Sequence, residues 1–292
     1  MCNYTISFCN NYIKLANFLF ISFNKNMKIS SVNNIQNKQP VFNSCFRRYS
    51  YFSKPFEHFA KTVIRNSTNF FREDLNWNDL TKYIIEHFKD IKKVNAYSLA
   101  CSDGSEAYSY AISIMENVPK SLYSKFFPVQ ACDIDKEVLK IANSGRINAD
   151  SMEFALISKN YNILMDEYLK DRDVSILING DDISGTDEIH SYKIAPSLKN
   201  SVEFKQSDIL TELKKLNDEG NSVIMCRNVF PYLSYGYVDE VLRTAKSKIK
   251  SGSLFVIGDY DKSRNIGEKL LSEGFFNPLK NNEQNSLIFE RK

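Results

Sequence analysis

The stretch "SLACSDGSEAYSYAISI", residues 98–114, decides the fold of this chain. Its first three residues, "SLA", are the end of a predicted strand. A turn that contains one glycine, Gly104, follows. Ala107, Ala111 and Met115 then recur at helical spacing. A strand that passes through a short turn into a helix is typical of α/β folds that bind nucleotide-like cofactors at the turn. The multi-glycine pattern of a dinucleotide-binding loop is missing, so the turn predicts a different cofactor.

Strands and helices alternate on both sides of this turn. A helix is predicted over 76–90, with Asn76 or Asn78 as its cap, and strands are predicted over 94–100 and 127–135. Further strands are predicted within 202–210, 221–233, 251–260 and the C-terminal hairpin. This alternation predicts an α/β fold with a mostly parallel, Rossmann-like sheet covered by helices on both faces. The hairpin-like end predicts an antiparallel last strand.

Residues 146–200 interrupt the alternation. Two helical runs are predicted over 151–158 and 160–170, and the turn "DDISGTDE" then separates two strand-like segments. This pattern indicates a hairpin rather than another strand–helix unit. We therefore expect a small β-hairpin insertion at about 146–200.

The N-terminal segment differs in composition from the rest of the chain. Residues 1–56 contain ten Asn and seven basic residues but no Asp or Glu, which is typical of an organelle transit peptide. We expect a disordered leader over 1–55, cleaved near Tyr49 and Ser50, and a folded domain over 56–292. The mitochondrion is the favoured destination. Two alternatives stay open: import into a plastid, and a cytosolic protein whose N-terminal segment is an Asn-rich disordered tail.

Composition argues against several classes of partner. Beyond residue 56 the chain has 31 basic and 35 acidic residues, so its charge gives no support for nucleic-acid binding. The apolar run "LANFLFISF" is too short to span a membrane. The six cysteines form no CxxC motif and the three histidines are far apart, so we expect no structural metal and no disulfide framework.

Acidic and amide side chains follow the predicted strands where each strand ends. They are Asp103 and Glu106 after the first, Asp133 and Asp135 after the second, Asp208 after the third, and Asn228 with Tyr232 after the fourth. Carboxylates would repel a pyrophosphate but suit a ligand with a sulfonium, an ammonium group and a ribose diol. S-adenosylmethionine is such a ligand. Asp133 would then accept from the ribose hydroxyls and Asp208 from the adenine amino group.

The motifs resemble those of the CheR-type methyltransferases, which methylate receptor glutamates from S-adenosylmethionine. "RNSTNFFRED", 65–74, is similar to the family's signature before the catalytic domain, and "ACSDGSEAYS" to its cofactor turn. "ACDIDKEVLKIANSG", "VEFKQSDIL" and "VIMCRNVFPYL" are similar to its later motifs. The resemblance covers about Arg65 to Phe255 and implies a class I methyltransferase fold.

The resemblance also implies site residues. The expected cofactor contacts are Asn66, Thr68, Arg72, Glu106, Asp133, Asp208, Ile209, Asn228 and Val229. Arg72 and Tyr232 are the expected catalytic residues, with Arg72 orienting the acceptor carboxylate. A surface ion pair with Glu73 or Asp74 is the alternative for Arg72, and a packed aromatic is the alternative for Tyr232.

Departures from the family leave the substrate open. Ser105 replaces a family glutamate, Ala107 a proline, and Asp208 an asparagine. The favoured function is methylation of a protein carboxylate, with a monomeric enzyme and a protein substrate. The alternatives are a non-catalytic S-adenosylmethionine-binding assembly factor and a methyltransferase for a small molecule.

Overall fold

The computed structural model describes residues 49–53, 64–178, 187–216, 220–279 and 283–292. These residues belong to one compact unit, Ser44–Lys292. Most of the predicted leader lies outside the described residues, and its cleavage and its destination stay predictions. In the described part of the chain, no helix has the length and apolarity needed to cross a bilayer.

The main sheet has seven strands. In spatial order they are β11 (Phe275–Phe276), β12 (Ile288–Arg291), β10 (Leu254–Val256), β9 (Asn221–Met225), β3 (Val94–Leu99), β4 (Val129–Asp133) and β8 (Val202–Gln206). The five strands from β10 to β8 run parallel, whereas β12 pairs antiparallel with β10. The predicted α/β sheet with an antiparallel last strand is confirmed.

Helices connect these strands. They are α1 (Trp77–His87), α2 (Ser105–Asn117), α3 (Tyr123–Phe126), α4 (Lys136–Asn143), α5 (Ser151–Tyr161), α6 (Pro196–Lys199), α7 (Ile209–Lys215), α8 (Tyr235–Lys248) and α9 (Ile266–Ser272). The predicted cap of α1 is confirmed at Asn76, whose side chain accepts from the backbone N–H of Asp79 at 3.1 Å. The central strands are buried because helices cover the sheet, and Val94, Ala96 and Val223 are fully inaccessible to solvent.

The order of connection reverses beside β3. The chain goes from β3 to β4 on one side of the sheet and later returns to β9 on the other side. The loops at the carboxyl ends of β3 and β9 therefore diverge and leave a crevice between them. Ligands of open α/β sheets bind at this position.

A second, antiparallel sheet forms the insertion. It consists of β5 (Arg146–Asp150), β6 (Leu169–Ile178) and β7 (Asp187–Ile194) in the order β5-β7-β6. The predicted hairpin is confirmed as β6 and β7, but β5 was not predicted. The helical run predicted over 160–170 is wrong, because α5 ends at Tyr161 and the next residue, Asn162, has a positive φ of 57°. A 3₁₀ turn and the start of β6 follow.

A hairpin precedes the main domain. Strand β1 (Tyr49–Ser53) pairs antiparallel with β2 (Ile64–Thr68). Ordered structure thus begins before Phe56, where the sequence predicts the domain to start, because the last residues assigned to the leader form β1. The residues 54–63 between these strands lie outside the described part. Strand β2 carries the start of the "NSTNFFR" motif and leads directly towards α1.

Candidate functional site

The turn between β3 and α2 is shaped by three residues with positive φ. Ala100 has φ 61°, Ser102 has φ 52° and Gly104 has φ 93°. A Cβ on Gly104 would lie 2.7 Å from the ring of Phe204, so this position needs glycine for space as well as for its backbone angle. The turn therefore brings the start of α2 close to the sheet. The residues that follow Gly104 lie beside the crevice.

Asp133, at the end of β4, holds this turn from the neighbouring strand. Its carboxylate accepts from the backbone N–H of Ser102 at 2.8 Å and from that of Asp135 at 2.9 Å. Burial raises the pKa of Asp133 to about 6, although these two N–H groups favour the charged form. A carboxylate oxygen has more than one acceptor position, so Asp133 retains capacity for the predicted ribose hydroxyls.

Glu106 lies in the first turn of α2, beside the crevice. Its Oε1 accepts from Ser98 Oγ at 2.8 Å and its Oε2 from Arg227 Nη1 at 3.1 Å. Burial raises the pKa of Glu106, while Arg227 and the Ser98 hydroxyl act in the opposite direction. Glu106, one of the predicted cofactor contacts, is thus positioned from β3 and from the loop after β9.

Arg227 lies in this candidate site but is not among the residues predicted from the sequence. Its side chain is 1% exposed, and it pairs with Glu106 and with Asp74 at the same time. The guanidinium also lies over the ring of Trp77, 5.3 Å from its centroid. The signal was available in the motif "CRNV", whose arginine precedes the asparagine that was predicted.

Asp74 joins three segments of the chain. Besides Arg227, its carboxylate accepts from Asn228 Nδ2 and from the backbone N–H of Asp259, both at 2.9 Å. Burial opposes ionisation, but Arg227 and Arg72 hold the pKa of Asp74 below its usual value. Asp74 therefore connects the "NSTNFFRED" loop with the loops after β9 and β10.

Asn228 has a left-handed backbone, with φ 58°, and its loop is fixed by a buried carboxylate. Asp261 accepts from the backbone N–H groups of Asn228, Gly258 and Phe230 at 2.7, 2.8 and 3.1 Å. A Cβ on Gly258 would overlap the Asn228 side chain. Burial raises the pKa of Asp261 to about 7. Val229, the next predicted contact, is buried in the same loop.

Asp208 and Ile209 follow β8 at the same edge of the sheet. Asp208 caps α7, accepting from the backbone N–H and the hydroxyl of Thr211, and also from Tyr237 Oη at 3.0 Å. Ile209 is buried. Asp208 thus has a helix-capping function in addition to the adenine contact predicted from the sequence.

Arg72 lies close to Asp74, with 4.0 Å between Nε and Oδ1, and its guanidinium is 4.9 Å from the ring centroid of Tyr260. The alternative given for Arg72, an ion pair with Asp74, therefore has structural support. This pairing also connects Arg72 through Asp74 and Arg227 to Glu106.

Three further predicted residues are Thr68, Asn66 and Tyr232. Thr68 is buried at the end of β2, and Asn66 lies within that strand. Tyr232 is half-buried and ends a 3₁₀ turn, Phe230–Tyr232, directly after the Asn228 loop. The roles of these three residues stay predictions.

The residues at the crevice fit S-adenosylmethionine. Carboxylates from two neighbouring strand ends, Glu106 and Asp133, suit an ammonium group and a ribose diol. Ser102 Oγ, between them in the turn, is buried and has no hydrogen-bond partner in the described part of the protein, so a polar group is available for a ligand. Within the described residues, no cluster of three or more His, Cys, Asp or Glu could hold a metal ion.

Comparisons with known proteins agree with this chemistry. Residues 66–176 and 183–272 match the family described as CheR methyltransferase, SAM binding domain. The chemotaxis protein methyltransferase of Listeria monocytogenes serovar 1/2a is 26% identical over 227 residues, covering 77% of this chain and 76% of the relative. Chemotaxis protein methyltransferase 2 of Vibrio cholerae serotype O1 is 24% identical, covering 74% and 70%.

The chain also has a weak structural likeness to the precorrin-6y C5,15-methyltransferase of Geobacter metallireducens. The matched region is 11% identical, with a TM-score of 0.34, and covers 77% of this chain and 78% of that one. The family match extends over more than half of the chain and includes every residue predicted for the site. This chain belongs to the CheR methyltransferase family and is an S-adenosylmethionine-dependent methyltransferase.

Proposed function

We propose that this enzyme methylates a carboxylate of a protein, most simply a glutamate side chain. The observation that carries the proposal is the ionic chain from Arg72 through Asp74 and Arg227 to Glu106. It connects Arg72, which would orient an acceptor carboxylate, with Glu106, which would bind the cofactor's ammonium group. An acceptor and a methyl donor would thus bind to side chains of one ion-pair network.

The chemistry requires alignment more than proton transfer. Bound S-adenosylmethionine supplies an electrophilic methyl group on a positively charged sulfur. A carboxylate oxygen forms the new bond to carbon as the carbon–sulfur bond breaks, and the electron pair of that bond stays on sulfur. A carboxylate is ionised at neutral pH, so no base is needed. The two described histidines, His87 at the end of α1 and His190 on β7, lie outside the strand-end turns. Arg72 would orient the acceptor, mainly by proximity.

The relatives support a protein acceptor. The similar proteins of Listeria and Vibrio are named chemotaxis protein methyltransferases. The antiparallel sheet β5-β7-β6 corresponds to the insertion that, by resemblance, helps such enzymes to dock a substrate protein. We infer that this sheet contacts the acceptor protein, and that the enzyme acts as a monomer.

The type of bond formed is the test of the function. The protein is incubated with methyl-labelled S-adenosylmethionine and an organelle extract, and the labelled product is treated with mild alkali. A carboxyl methyl ester releases volatile label as methanol, whereas N-methyl and S-methyl groups stay on the protein. Arg72→Ala should remove most of the volatile label, and Arg243→Ala, on the exposed face of α8, should not. Label that resists alkali would contradict carboxyl methylation.

A second candidate is an S-adenosylmethionine-binding factor without turnover. Two features favour it: Ser105 stands where the family has glutamate, and Ala107 stands where it has proline. Such a protein would bind S-adenosylhomocysteine but label nothing in any extract. The same incubation, combined with a binding measurement, separates the two functions.

We also propose that the protein is imported into an organelle, with the mitochondrion favoured. Support comes from the acid-free composition of residues 1–56. Its test is given in the Discussion.

A further inference from the structure

The loop between β2 and α1, residues 69–76, carries Arg72 and has an unusual backbone; we call it the motif loop. Phe71, the residue before Arg72, has a positive φ of 45°. A left-handed backbone is unfavourable for a bulky residue and persists only where the surrounding contacts fix it. The contacts of Phe71 and its neighbours therefore decide from where, and in which direction, the Arg72 side chain leaves the loop.

Two side-chain oxygens hold consecutive backbone N–H groups of the motif loop. The N–H of Phe71 donates to Ser109 Oγ at 2.8 Å, and the N–H of Phe70 donates to Glu153 Oε1 at 2.6 Å. Ser109 lies on α2, the helix that follows the cofactor turn, and Glu153 lies in the first turn of α5, in the insertion. The motif loop is thus held both from the cofactor side and from the insertion.

Glu153 is a buried carboxyl group that takes no part in the ion-pair network of Arg227. Its side chain belongs to a residue that is 5% exposed. Burying a carboxyl group is costly unless hydrogen bonds compensate for the lost water, and a backbone N–H supplies such a bond. An apolar side chain at this position would leave the buried N–H of Phe70 without its acceptor. The contact with the motif loop therefore accounts for an acid at this place.

Helix α5 packs against both the motif loop and the insertion sheet. The ring of Tyr161, at the end of α5, lies 5.2 Å from the ring of Phe71, centroid to centroid. The ring of Phe154 lies 4.9 Å from that of Tyr192 on β7. Aromatic pairs at these distances are favourable contacts. Helix α5 thus connects the motif loop to the antiparallel sheet, and Glu153 is fixed between them.

The backbone of Arg72 is the next part of the loop to be fixed. Its carbonyl accepts from Trp77 Nε1 at 3.2 Å, and its guanidinium lies near Asp74 and Tyr260. If Phe71 relaxed to an ordinary backbone conformation, the chain would leave it in another direction and Arg72 would move away from Asp74. The hydrogen bond at Phe70 is therefore connected to the position of the guanidinium through two residues of backbone.

We propose that Glu153 is a positioning residue for methyl transfer: together with Ser109 it selects the loop backbone that places Arg72 at the site. Glu153 acts through the N–H of Phe70. The insertion then has a second function besides its inferred contact with the acceptor protein, because its helix α5 completes the site of the main domain. The proposal rests on the proposed use of Arg72 in orienting the acceptor, and it does not depend on the acceptor being a carboxylate.

Three variants of the full-length protein test this function. Glu153→Ala removes the acceptor of the Phe70 N–H, and Glu153→Gln keeps an acceptor oxygen at the same reach. Glu268→Ala is the matched control, because it removes an exposed glutamate from the first turn of another helix, α9.

Rate and cofactor affinity are measured separately. Labelling of an organelle extract at saturating methyl-labelled S-adenosylmethionine gives the rate, and titration with S-adenosylhomocysteine gives the affinity. We expect Glu153→Ala to label at least tenfold more slowly, with its affinity reduced less than threefold, because Glu106 and Asp133 keep their own partners. Glu153→Gln should recover at least half of the wild-type rate, and Glu268→Ala should equal the wild type.

The motif loop itself is observed through Trp77, the single tryptophan of the chain. Trp77 is 1% exposed and bonds the Arg72 carbonyl. In Glu153→Ala we expect acrylamide to quench its fluorescence at least twofold more efficiently. We also expect hydrogen exchange to become at least tenfold faster in a peptide that spans residues 66–74, and to stay unchanged in a peptide that spans β3. Glu268→Ala should change neither observation.

Several results would overturn the proposal. A wild-type rate in Glu153→Ala, or no recovery in Glu153→Gln, would show that the hydrogen bond to Phe70 does not position the site. Exchange that rises equally in β3 would indicate a general loss of stability instead. Slow labelling by Glu153→Ala together with a wild-type rate in Arg72→Ala would show that Glu153 does not act through Arg72. If Glu153→Ala does not fold, Ser109→Ala takes its place, and a wild-type rate in that variant would overturn the proposal.

Failure of the proposed function is seen independently. Alkali-resistant label from the wild-type protein would contradict carboxyl methylation, whereas a tenfold loss of that same label in Glu153→Ala would still support the positioning function. No label from the wild-type protein in any extract would overturn both.

Discussion

At the scale of single residues, Arg227 is the centre of the site's electrostatics. Two nitrogens of one buried guanidinium pair with two different, partly buried carboxylates, Asp74 and Glu106. Arginine suits this position because its planar group presents several donors in fixed directions, whereas lysine is a single point charge. Removing the cation would leave two partly buried carboxylates without the charge that neutralises them both.

We therefore expect Arg227→Lys to weaken cofactor binding. Lysine can pair with one carboxylate but not with both, so Glu106 should lose its fixed position. The affinity for S-adenosylhomocysteine should fall at least tenfold, and the melting temperature should fall as well. Arg291→Lys is the control, because Arg291 bonds backbone carbonyls near the C-terminus and lies outside the site. A loss of stability in both variants without a selective loss of affinity would contradict a positioning role.

For Asp133 we expect a direct effect on the ribose. Asp133→Ala removes a charged acceptor, typically about 1.5–3 kcal/mol, or roughly 10- to 100-fold in affinity. Because the carboxylate also accepts from Ser102 and Asp135, alanine loosens the turn too. Asp133→Asn keeps one acceptor oxygen and separates the two effects. Calorimetric titration with S-adenosylhomocysteine, beside thermal melting of the free protein, measures both. Unchanged affinity in both variants would remove Asp133 from the cofactor site.

The raised pKa of Asp261 predicts that the stability of the folded protein depends on pH. The pKa of Asp261 is raised to about 7 in the folded protein and is near 4 when unfolded, so the folded state binds more protons between these values. The stability contributed by Asp261 is therefore fully present below about pH 4 and is lost as pH rises through about 7. Between pH 5 and pH 8, the free energy of unfolding of the wild type should therefore fall by about 2–3 kcal/mol relative to that of Asp261→Asn. Urea denaturation of both proteins at the two pH values measures it, and a difference that favours wild type more at pH 8 would contradict the prediction.

The acids predicted at the strand ends are found there, but the side chains that pair with them were not predicted. Glu106 and Asp133 could be predicted because each follows a recognisable strand or turn. The "CRNV" motif contains Arg227, but the pairing of Arg227, like that of Asp261, could not be predicted, since it joins residues 121 and 33 positions apart. Long-range pairing of this kind is fixed by the packing of the sheet and leaves no periodic pattern in the chain.

At the scale of elements, Asp208 is a predicted cofactor contact that also caps a helix. Its carboxylate caps α7 and receives the Tyr237 hydroxyl from α8. We expect Asp208→Ala to cost about 0.5–2 kcal/mol in stability through the lost cap. Asp208→Asn retains a good capping side chain and should stay close to wild type in melting temperature and in affinity for S-adenosylhomocysteine. A large loss of affinity in Asp208→Asn at unchanged stability would indicate that the negative charge itself contacts the ligand.

Elements of the main sheet were easier to predict than those of the insertion. Strands β9 and β10 contain the buried apolar runs "VIM" and "LFV", whereas β5 reads "RINAD" and has only two fully apolar residues. The helical run predicted over 160–170 mixed apolar and polar residues at a spacing that fits a helix. The positive φ of Asn162 is incompatible with a continuing α-helix, and the chain leads to β6 instead. Short strands of small antiparallel sheets gain their stability from pairing, which the local sequence does not display.

At the scale of the whole molecule, charge is divided between two parts of the chain. Seven basic residues and no acids lie in residues 1–56, while the remainder carries a net charge of −4. The structure adds that Tyr49–Ser53, next to the predicted cleavage region, forms β1 and pairs with the strand that begins the "NSTNFFR" motif. A cleavage within β1 would remove part of this pairing, so cleavage just before Tyr49 is the more compatible choice.

We therefore expect the mature N-terminus in cells to fall at or shortly before Tyr49, within an imported protein. An acid-free basic leader is drawn by receptors and by membrane potential, and the arginines at 47 and 48 would end up in the removed segment. N-terminal sequencing of the protein from fractionated cells measures the position, and exchange of Arg47 and Arg48 for glutamine should leave an uncleaved form. An intact N-terminus on a cytosolic protein would contradict import. A protein that starts at Tyr49 should keep its affinity for S-adenosylhomocysteine, whereas one that starts at Ile64 should lose stability because β2 has no partner strand.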